Sequence, residues 1–584
     1  MKTIRKIKKT LVLTAAFLVV GVSCSDEFLE VAPTGTLADA QVSTLAGIDG
    51  LLVGAYSMLN GAITDDGGSR ASAPSHWITG SILGGDANKG TDPGDSASLA
   101  TIQRFQADPT ANDFHQIWRA RYEGISRCNT VLATIAKSID LIPAERAASL
   151  QAQARMLRGH FYFDLKKHFN NIVVFDETLA SNEITEIPNN GDAWAQIEAD
   201  FQFAYDNLDE ITDAGRVNKW AAAAYMGKAK LYQQKYAEAI TWFDDVIANG
   251  VTSNGLKYQL LDDYAQIFNA DNDNHAESVM DVESSNETGN VRNSNWWDDL
   301  NYPYATGSAG PGDCCGFFQP SFELANSFRT TNAGLPLLDK SYRDPANALV
   351  TDMGVPASAD FTPDSGPLDP RIDFSIGRRG ISYLGWQPFP GAAWIRVQAY
   401  GGPYAPKKYV YYVNQDGVYT DASSWTRGYA TMNYTIIRFA DVLLMAAEAE
   451  IEAGSLEQAR TYVNQVRARA ANSQYWIKDE DGTDAANYVL AEYSPAQFAT
   501  PASATEAVRF ERKLELSGEG HRFFDLVRWG VAAEVINDYI NYEQQFLSAA
   551  YSGGNFTAGR NEYLPIPQTQ LDLQPGVLTQ NPGY

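Results

Sequence analysis

Between Ala504 and Gly530 the chain sets apolar residues and charges of both signs at helical spacing, a pattern that suits helices packed into a larger body. Ala504 to Leu516 reads as one helix, Ser517-Gly518-Glu519-Gly520 as a glycine turn, and His521 to Gly530 as a second helix. Ser503 with Glu506 fits a capping box, and Pro501 marks the break before it. Ala507, Phe510, Leu514 and Gly518 fall on one face and predict its buried stripe. Gly518 and Gly520 supply the backbone freedom that a helix exit needs.

The charges sharpen this expectation. Glu511 and Glu515 lie one helical turn apart and repel unless each has its own cation. Arg512, Arg522 and Arg528 are the cations within the stretch, and Asp525 can hold Arg522 or Arg528. The pattern predicts a partly buried ion-pair network pinning two helices together, in preference to a pair of catalytic carboxylates.

The run Glu511-Arg512-Lys513-Leu514-Glu515-Leu516, followed by Glu519-Gly520-His521-Arg522-Phe523-Phe524-Asp525-Leu526-Val527-Arg528-Trp529-Gly530, closely resembles the C-terminal signature of the SusD/RagB family. Glu562-Tyr563-Leu564-Pro565-Ile566-Pro567-Gln568 resembles that family's closing motif. The resemblance implies a surface lipoprotein of Bacteroidetes that captures glycan and passes it to a SusC-type TonB-dependent outer-membrane transporter. It also implies that the signature itself is structural and does not touch ligand.

The N-terminal segment agrees with export. Lys2, Arg5, Lys6, Lys8 and Lys9 precede an apolar run, Leu11 to Val20, too short to serve as a permanent span. Gly21-Val22-Ser23-Cys24 resembles a lipoprotein cleavage site, which predicts a signal peptide over 1–23 and acylation of Cys24. Ser25-Asp26-Glu27 resembles an acidic surface-export signal, so the expected place is the outer membrane, lipid-anchored and facing outward. The alternative is ordinary secretion, with Cys24 discarded in the signal peptide. A net charge of −26 argues against nucleic acid and against anionic lipid as partners. Cys128, Cys314 and Cys315 are then the remaining cysteines, which is no disulfide framework. Cys314 and Cys315 are either a vicinal disulfide or two thiols.

The fold expectation is a mainly α chain, a tetratricopeptide-like helical repeat scaffold carrying a long irregular, loop-rich region with a little β-structure. Residues 24–584 read as one domain, with the scaffold at roughly 40–270 and 433–584 and the irregular, ligand-binding region at roughly 271–432. Leu45 to Asn60, Phe114 to Phe169 and Trp194 to Leu208 have helical spacing. Trp220 to Asn249 is the clearest repeat unit, with Gly227, Tyr236, Ala239 and Phe243 at tetratricopeptide spacing, and Ala440 to Arg469 is a second copy. Thr64 to Ser98 reads as loop from its Gly, Asp and Asn content. Tyr409 to Val413 and Val418-Tyr419 predict a hairpin turning at Asp416-Gly417.

Enzyme signatures are missing: there is no G-x-S-x-G elbow, no HExxH and no Walker loop, and the histidines are scattered. No catalytic residue, metal site or cofactor is therefore assigned. Asp271-Asn272-Asp273-Asn274 and the run Asp479 to Asp484 lack the terminal Glu of a calcium loop and read as solvated turns. Aromatic content of 12% leaves rings to be placed beyond an ordinary core. Sugars bind on flat apolar faces framed by hydrogen-bonding side chains. Asn293 to Tyr304 contains both, which makes Trp296 and Trp297 a candidate stacking platform with Tyr302 and Tyr304 beside it. Asp86 and Lys89 are expected to approach from the early loop, and Trp394 with Arg396 from a later one. The competing reading of Trp296-Trp297 is a cap over the core, and the sequence leaves the two even. Three functions stay open: a glycan-binding surface lipoprotein, a secreted glycosidase, and a helical scaffold that binds only proteins.

Overall fold

The structure is a computed structural model of the chain and describes residues 42–63 and 70–584. The signal segment and Cys24 lie outside the described residues. Among the described residues six long helices come first: α1 (Leu45–Tyr56), α2 (Asn112–Lys137), α3 (Ala144–Phe169), α4 (Ala193–Asn207), α5 (Lys219–Tyr232) and α6 (Tyr236–Asn249). After the irregular region follow α7 (Phe439–Ala453), α8 (Leu456–Ala470), α9 (Pro501–Glu515), α10 (Arg522–Arg528) and α11 (Ala532–Glu543). Each of α2 to α6 packs on the next, α6 packs on α7, and α9 packs on α7 and α8. The two helical blocks, far apart in sequence, thus form one stack. The pairs α5/α6 and α7/α8 are the two repeat units expected from spacing.

One packing device recurs along the stack. A Cβ placed on Gly227 of α5 would lie 2.6 Å from the Phe243 ring of α6. The same holds for Gly159 of α3 against Phe201 of α4, at 2.6 Å, and for Gly124 of α2 against Phe161 of α3, at 2.5 Å. Each glycine opens a notch that a phenylalanine from the next helix fills, so neighbouring helices approach closely. Only the Gly227–Phe243 instance is legible from repeat spacing.

Four strands tie the irregular region to the stack: β1 (Ala87–Gly90), β2 (Ser278–Val282), β3 (Phe317–Pro320) and β4 (Tyr434–Arg438). β2 and β4 pair antiparallel, from Tyr434 opposite Val282 to Arg438 opposite Ser278, and so close the two ends of that region against each other. β1 pairs antiparallel with β3. The early segment is accordingly not all loop: it carries a π-helical turn over Trp77–Ile82 and then β1. The expected hairpin also differs. Val413–Gln415 is a helical turn, and Thr420–Asp421 pairs with Tyr429–Ala430 instead. The Gln415 side chain accepts from the Tyr412 N–H, so local capping competes with the strand there.

The helix–turn–helix forms with altered boundaries and partners. Thr500 caps α9 and shares a capping box with Ser503, so Pro501 is the first helical residue, where its missing N–H costs nothing. Gly518 and Gly520 adopt φ of +73° and +74°. A side chain on Gly520 would collide with the Ser75 carbonyl, at 2.2 Å, so the turn inserts beneath the early segment. Glu511 and Glu515 are wholly buried, but their cations come from elsewhere in the chain. Glu511 takes Arg371 at 2.5 Å and Arg467 at 2.7 Å. Glu515 takes Arg438 at 2.6 Å, Arg469 at 2.5 Å and Arg371 at 3.0 Å. Burial alone would raise the Glu515 carboxyl, but Arg469, Arg438 and Arg371 hold it well below the usual carboxylate range. Arg512 and Arg528 do bind Asp525, at 3.0 and 2.8 Å. Arg522 has no carboxylate within ion-pair distance among the described residues and lies over the Trp529 ring, 5.9 Å from its centre. The network therefore joins the irregular region, α8 and α9 together, beyond the two helices first assigned to it.

Candidate functional site

Most of the residues expected to meet a sugar are interior. Trp297 is wholly enclosed and Trp296 is 4% exposed, their rings edge to face at 6.4 Å. Neither offers an open face, so in this conformation they cap the core and are not a platform. The polar neighbours that argued for exposure have protein partners. Asn295 donates from its backbone to the Ala430 carbonyl at 2.7 Å. Asp298 accepts from Ser75 at 2.9 Å and from the Asn301 amide at 3.1 Å. Burial pushes the Asp298 carboxyl up to about 7. Asp299 accepts both arms of Arg70, at 3.2 and 3.0 Å.

Tyr302 and Trp394 are also interior, and they build a second, smaller core with Tyr383, Phe389 and Tyr411 beneath the irregular region. This is where much of the aromatic surplus goes. Asp86 is buried and accepts the Gly518 N–H at 3.0 Å, so it braces the glycine turn of the helical signature. Burial raises its carboxyl to about 6, against that N–H and Arg522. Lys89 is buried as well, with Nζ on the carbonyls of Asp92 at 2.7 Å and Asp95 at 2.5 Å. Burial lowers its ammonium to about 8, opposed by Asp95 and Asp92. Both residues support a turn from within instead of facing outward.

Tyr304 and Arg396 do reach the surface, both half-buried. The Arg396 guanidinium lies 5.3 Å from the centre of the Tyr304 ring, a cation–π contact. It pairs with Asp92 at 2.7 Å and Asp95 at 2.6 Å. The early, middle and later loops touch here, through Asp92 and Asp95 on the early loop.

The exposed ring that sequence reasoning did not single out is Trp425. Of the twelve tryptophans it alone is exposed, at 53%. Its indole stands edge to face with Tyr429 at 6.4 Å. Arg70, with both arms on Asp299, is one third exposed. The available signal was a lone tryptophan among small polar residues, Ala422-Ser423-Ser424-Trp425-Thr426-Arg427.

The loop 304–316 bridges the two surface groups. Thr426 donates to the Gly312 carbonyl at 2.8 Å, and Arg427 donates to that of Gly310 at 3.0 Å. On the other side the Thr91 N–H reaches the Gly316 carbonyl at 2.5 Å. Trp425, the bridging loop, Tyr304 and Arg396 therefore belong to one braced surface, fixed from below by the small aromatic core. Cys314 and Cys315 lie on this loop and form a vicinal disulfide, with Cys314 half-buried and Cys315 buried. A separate cavity of about 370 Å³ between α2 and the C-terminal segment is lined in part by Tyr122, Phe175, Gln570 and Gln574, and none of the sequence-predicted residues lines it.

Comparison with known proteins agrees with this architecture. The SusD family profile matches residues 276–584, and a profile described as starch-binding and associating with the outer membrane matches residues 27–232. A SusD-like protein of Formosa agariphila is 24% identical over 486 residues, which is 80% of this chain and 79% of that protein. A second SusD-like protein of that organism is 25% identical over 597 residues, 99% of this chain and all of that one, at 100%. Among solved structures, a SusD superfamily protein of Bacteroides vulgatus superposes with a TM-score of 0.67 at 21% identity, over 92% of this chain and 99% of that one. A laminarin-binding SusD-like protein gives 0.62 at 24% identity, over 93% and 100%. Surface glycan-binding protein A of Bacteroides thetaiotaomicron, in complex with laminarihexaose, gives 0.61 at 21% identity, over 92% and 99%. At these identities the structural likenesses speak to the fold. With its C-terminal profile match covering more than half of the sequence, the chain belongs to the SusD family.

Proposed function

We propose that this chain is a cell-surface glycan-binding protein whose ligand face is centred on Trp425 and continues across the 304–316 loop to Tyr304 and Arg396. The observation that carries the reading is the exposure of Trp425 in a chain whose other tryptophans are buried or half-buried. An open indole set edge to face on Tyr429 provides an apolar face for pyranose C–H groups, and Arg427 two residues on brings a donor for hydroxyls. Two of the compared structures are described as binding laminarin or laminarihexaose, which supports a glycan as the ligand class. No catalytic arrangement is assigned; the chain binds and hands on. Residues 24–584 act as one domain, anchored through acylated Cys24 on the outer face of the outer membrane. A SusC-type TonB-dependent transporter receives the captured oligo- or polysaccharide.

The test is affinity electrophoresis of purified protein against a polysaccharide panel that includes laminarin and starch, followed by titration of the best ligand. Wild type is expected to be retarded in at least one gel without degrading the polysaccharide. Release of reducing ends would favour a glycosidase. Retardation in none, with a second protein recovered on pull-down, would favour a scaffold. Cys24→Ala should lose labelling by a palmitate analogue, and pull-down from mild detergent should recover the transporter with the native lipoprotein.

A further inference from the structure

We propose that the Cys314–Cys315 disulfide is itself a sugar-contacting subsite of the ligand face, acting with Tyr304 and Arg396. This rests on the glycan-binding reading above and adds a specificity element to it. A disulfide between adjacent residues closes almost no loop, so it removes almost no entropy from the unfolded chain. Nor does the surrounding loop need it for anchorage. The Gly312 N–H donates to the Tyr411 hydroxyl at 2.8 Å, the Gly316 N–H to the Tyr302 carbonyl at 3.0 Å, and the Gly307 N–H to Asp313 at 2.9 Å. Thr306 spans to the Pro311 carbonyl at 3.0 Å. With the loop already held, the covalent link acts on the local surface. It replaces two polar, oxidisable thiols by a compact, rigid, apolar unit with polarisable sulfurs.

The position of that unit suits a pyranose. Cys315 is 6% exposed and rooted in the core, while Cys314 turns part of the unit outward. The next residue, Gly316, has φ of +77°, and a Cβ there would lie 3.2 Å from Cβ of Tyr304 and 3.9 Å from Cβ of Arg396. Tyr304 and Arg396 thus pack against Gly316, the residue that directly follows the disulfide in the chain. Asp92 and Asp95 hold the guanidinium in place and bring carboxylates to the same edge. A neutral hexose unit would set its C–H face on the sulfurs and the tyrosine, with its hydroxyls toward Arg396 and the two aspartates. The preorganised loop removes the ordering cost of such a contact.

The experiment compares wild type, the double variant Cys314→Ala/Cys315→Ala and Trp425→Ala by affinity electrophoresis in laminarin and in starch gels, with Tm measured for each. The double variant is expected to keep the wild-type Tm and to bind about tenfold more weakly, the scale of losing one stacking platform. Wild type treated with a phosphine reductant should match the double variant, and the double variant should not respond to reductant. Wild-type affinity in the double variant, with Trp425→Ala weakened, overturns the subsite and leaves the proposed function standing. A fall in Tm that accompanies the loss of binding makes the disulfide a structural staple and also overturns it. Retardation of wild type in neither gel overturns the subsite together with the reading beneath it.

Discussion

Arg438 Nη1 donates to the Glu515 carboxylate at 2.6 Å across 77 positions of sequence, and both side chains are buried. Arg438 ends β4, where the irregular region rejoins the stack, and Glu515 ends α9. The same guanidinium reaches Glu519 at 2.7 Å and Glu277 at 3.3 Å. One arginine at the end of β4 thus joins the residue before β2, the end of α9 and the glycine turn. Removing it takes one cation from each of three buried carboxylates, which keep only Arg469, Arg371 and Lys408 among them, so Arg438→Ala should cost about 3–5 kcal/mol. Arg522→Ala, which breaks no ion pair among the described residues, should cost less. Chemical denaturation of both variants checks this order, and equal losses would refute it.

The glycine notches make a second expectation. Gly227→Ala places a methyl group 2.6 Å from the Phe243 ring, and overpacking of this kind costs about 1–3 kcal/mol. At 2.6 Å, well inside van der Waals contact, the cost belongs to the upper part of that range and outweighs the roughly 1 kcal/mol by which alanine favours a helix interior over glycine. The variant should therefore be less stable, and Phe243→Leu in the same chain should recover part of the loss. A thermal melt showing Gly227→Ala more stable than wild type would remove the notch as a packing device.

Trp425 and Trp297 separate the proposed ligand face from the core. Trp425→Ala should weaken glycan binding on the order of tenfold, since a stacked ring contributes about 1–3 kcal/mol, while Tm stays near wild type. Trp297→Ala empties an enclosed site and should cost about 3–5 kcal/mol of stability. Calorimetric titration and a melt on each variant read the two effects apart. The reverse pattern would return the platform to Trp297.

Glu543 sets a pH dependence. Burial pushes its carboxyl up to about 8, against the Glu323 N–H it accepts at 2.7 Å. The folded state therefore keeps a proton that the unfolded state releases near the ordinary glutamate value. The stability this group contributes is full below that value and is lost as pH rises toward 8. Glu543→Gln is neutral throughout, so its Tm relative to wild type should climb between pH 5 and pH 8.5. A difference in Tm that does not vary with pH would show that Glu543 is ionised in the fold.

What the sequence by itself determined was periodic and local. Helical spacing placed the repeat pairs at Trp220 to Asn249 and Ala440 to Arg469, and glycines at 518 and 520 placed the turn. The SusD-type signature was readable because it is one continuous run. A partly buried ion-pair network around Glu511 and Glu515 was legible from their spacing, but their cations were not, because Arg371, Arg438, Arg467 and Arg469 arrive from other elements. The tertiary structure alone decided which aromatics face outward. An aspartate beside a tryptophan looks the same in sequence whether its partner is a solvated sugar or a protein group. For Asp298 that group is Ser75, and for Asp299 it is Arg70, each more than two hundred residues away. Those distant partners engage the two aspartates from inside, Trp296 and Trp297 are closed into the core, and Trp425 stays at the surface, because exposure is set by what the rest of the chain places over a ring.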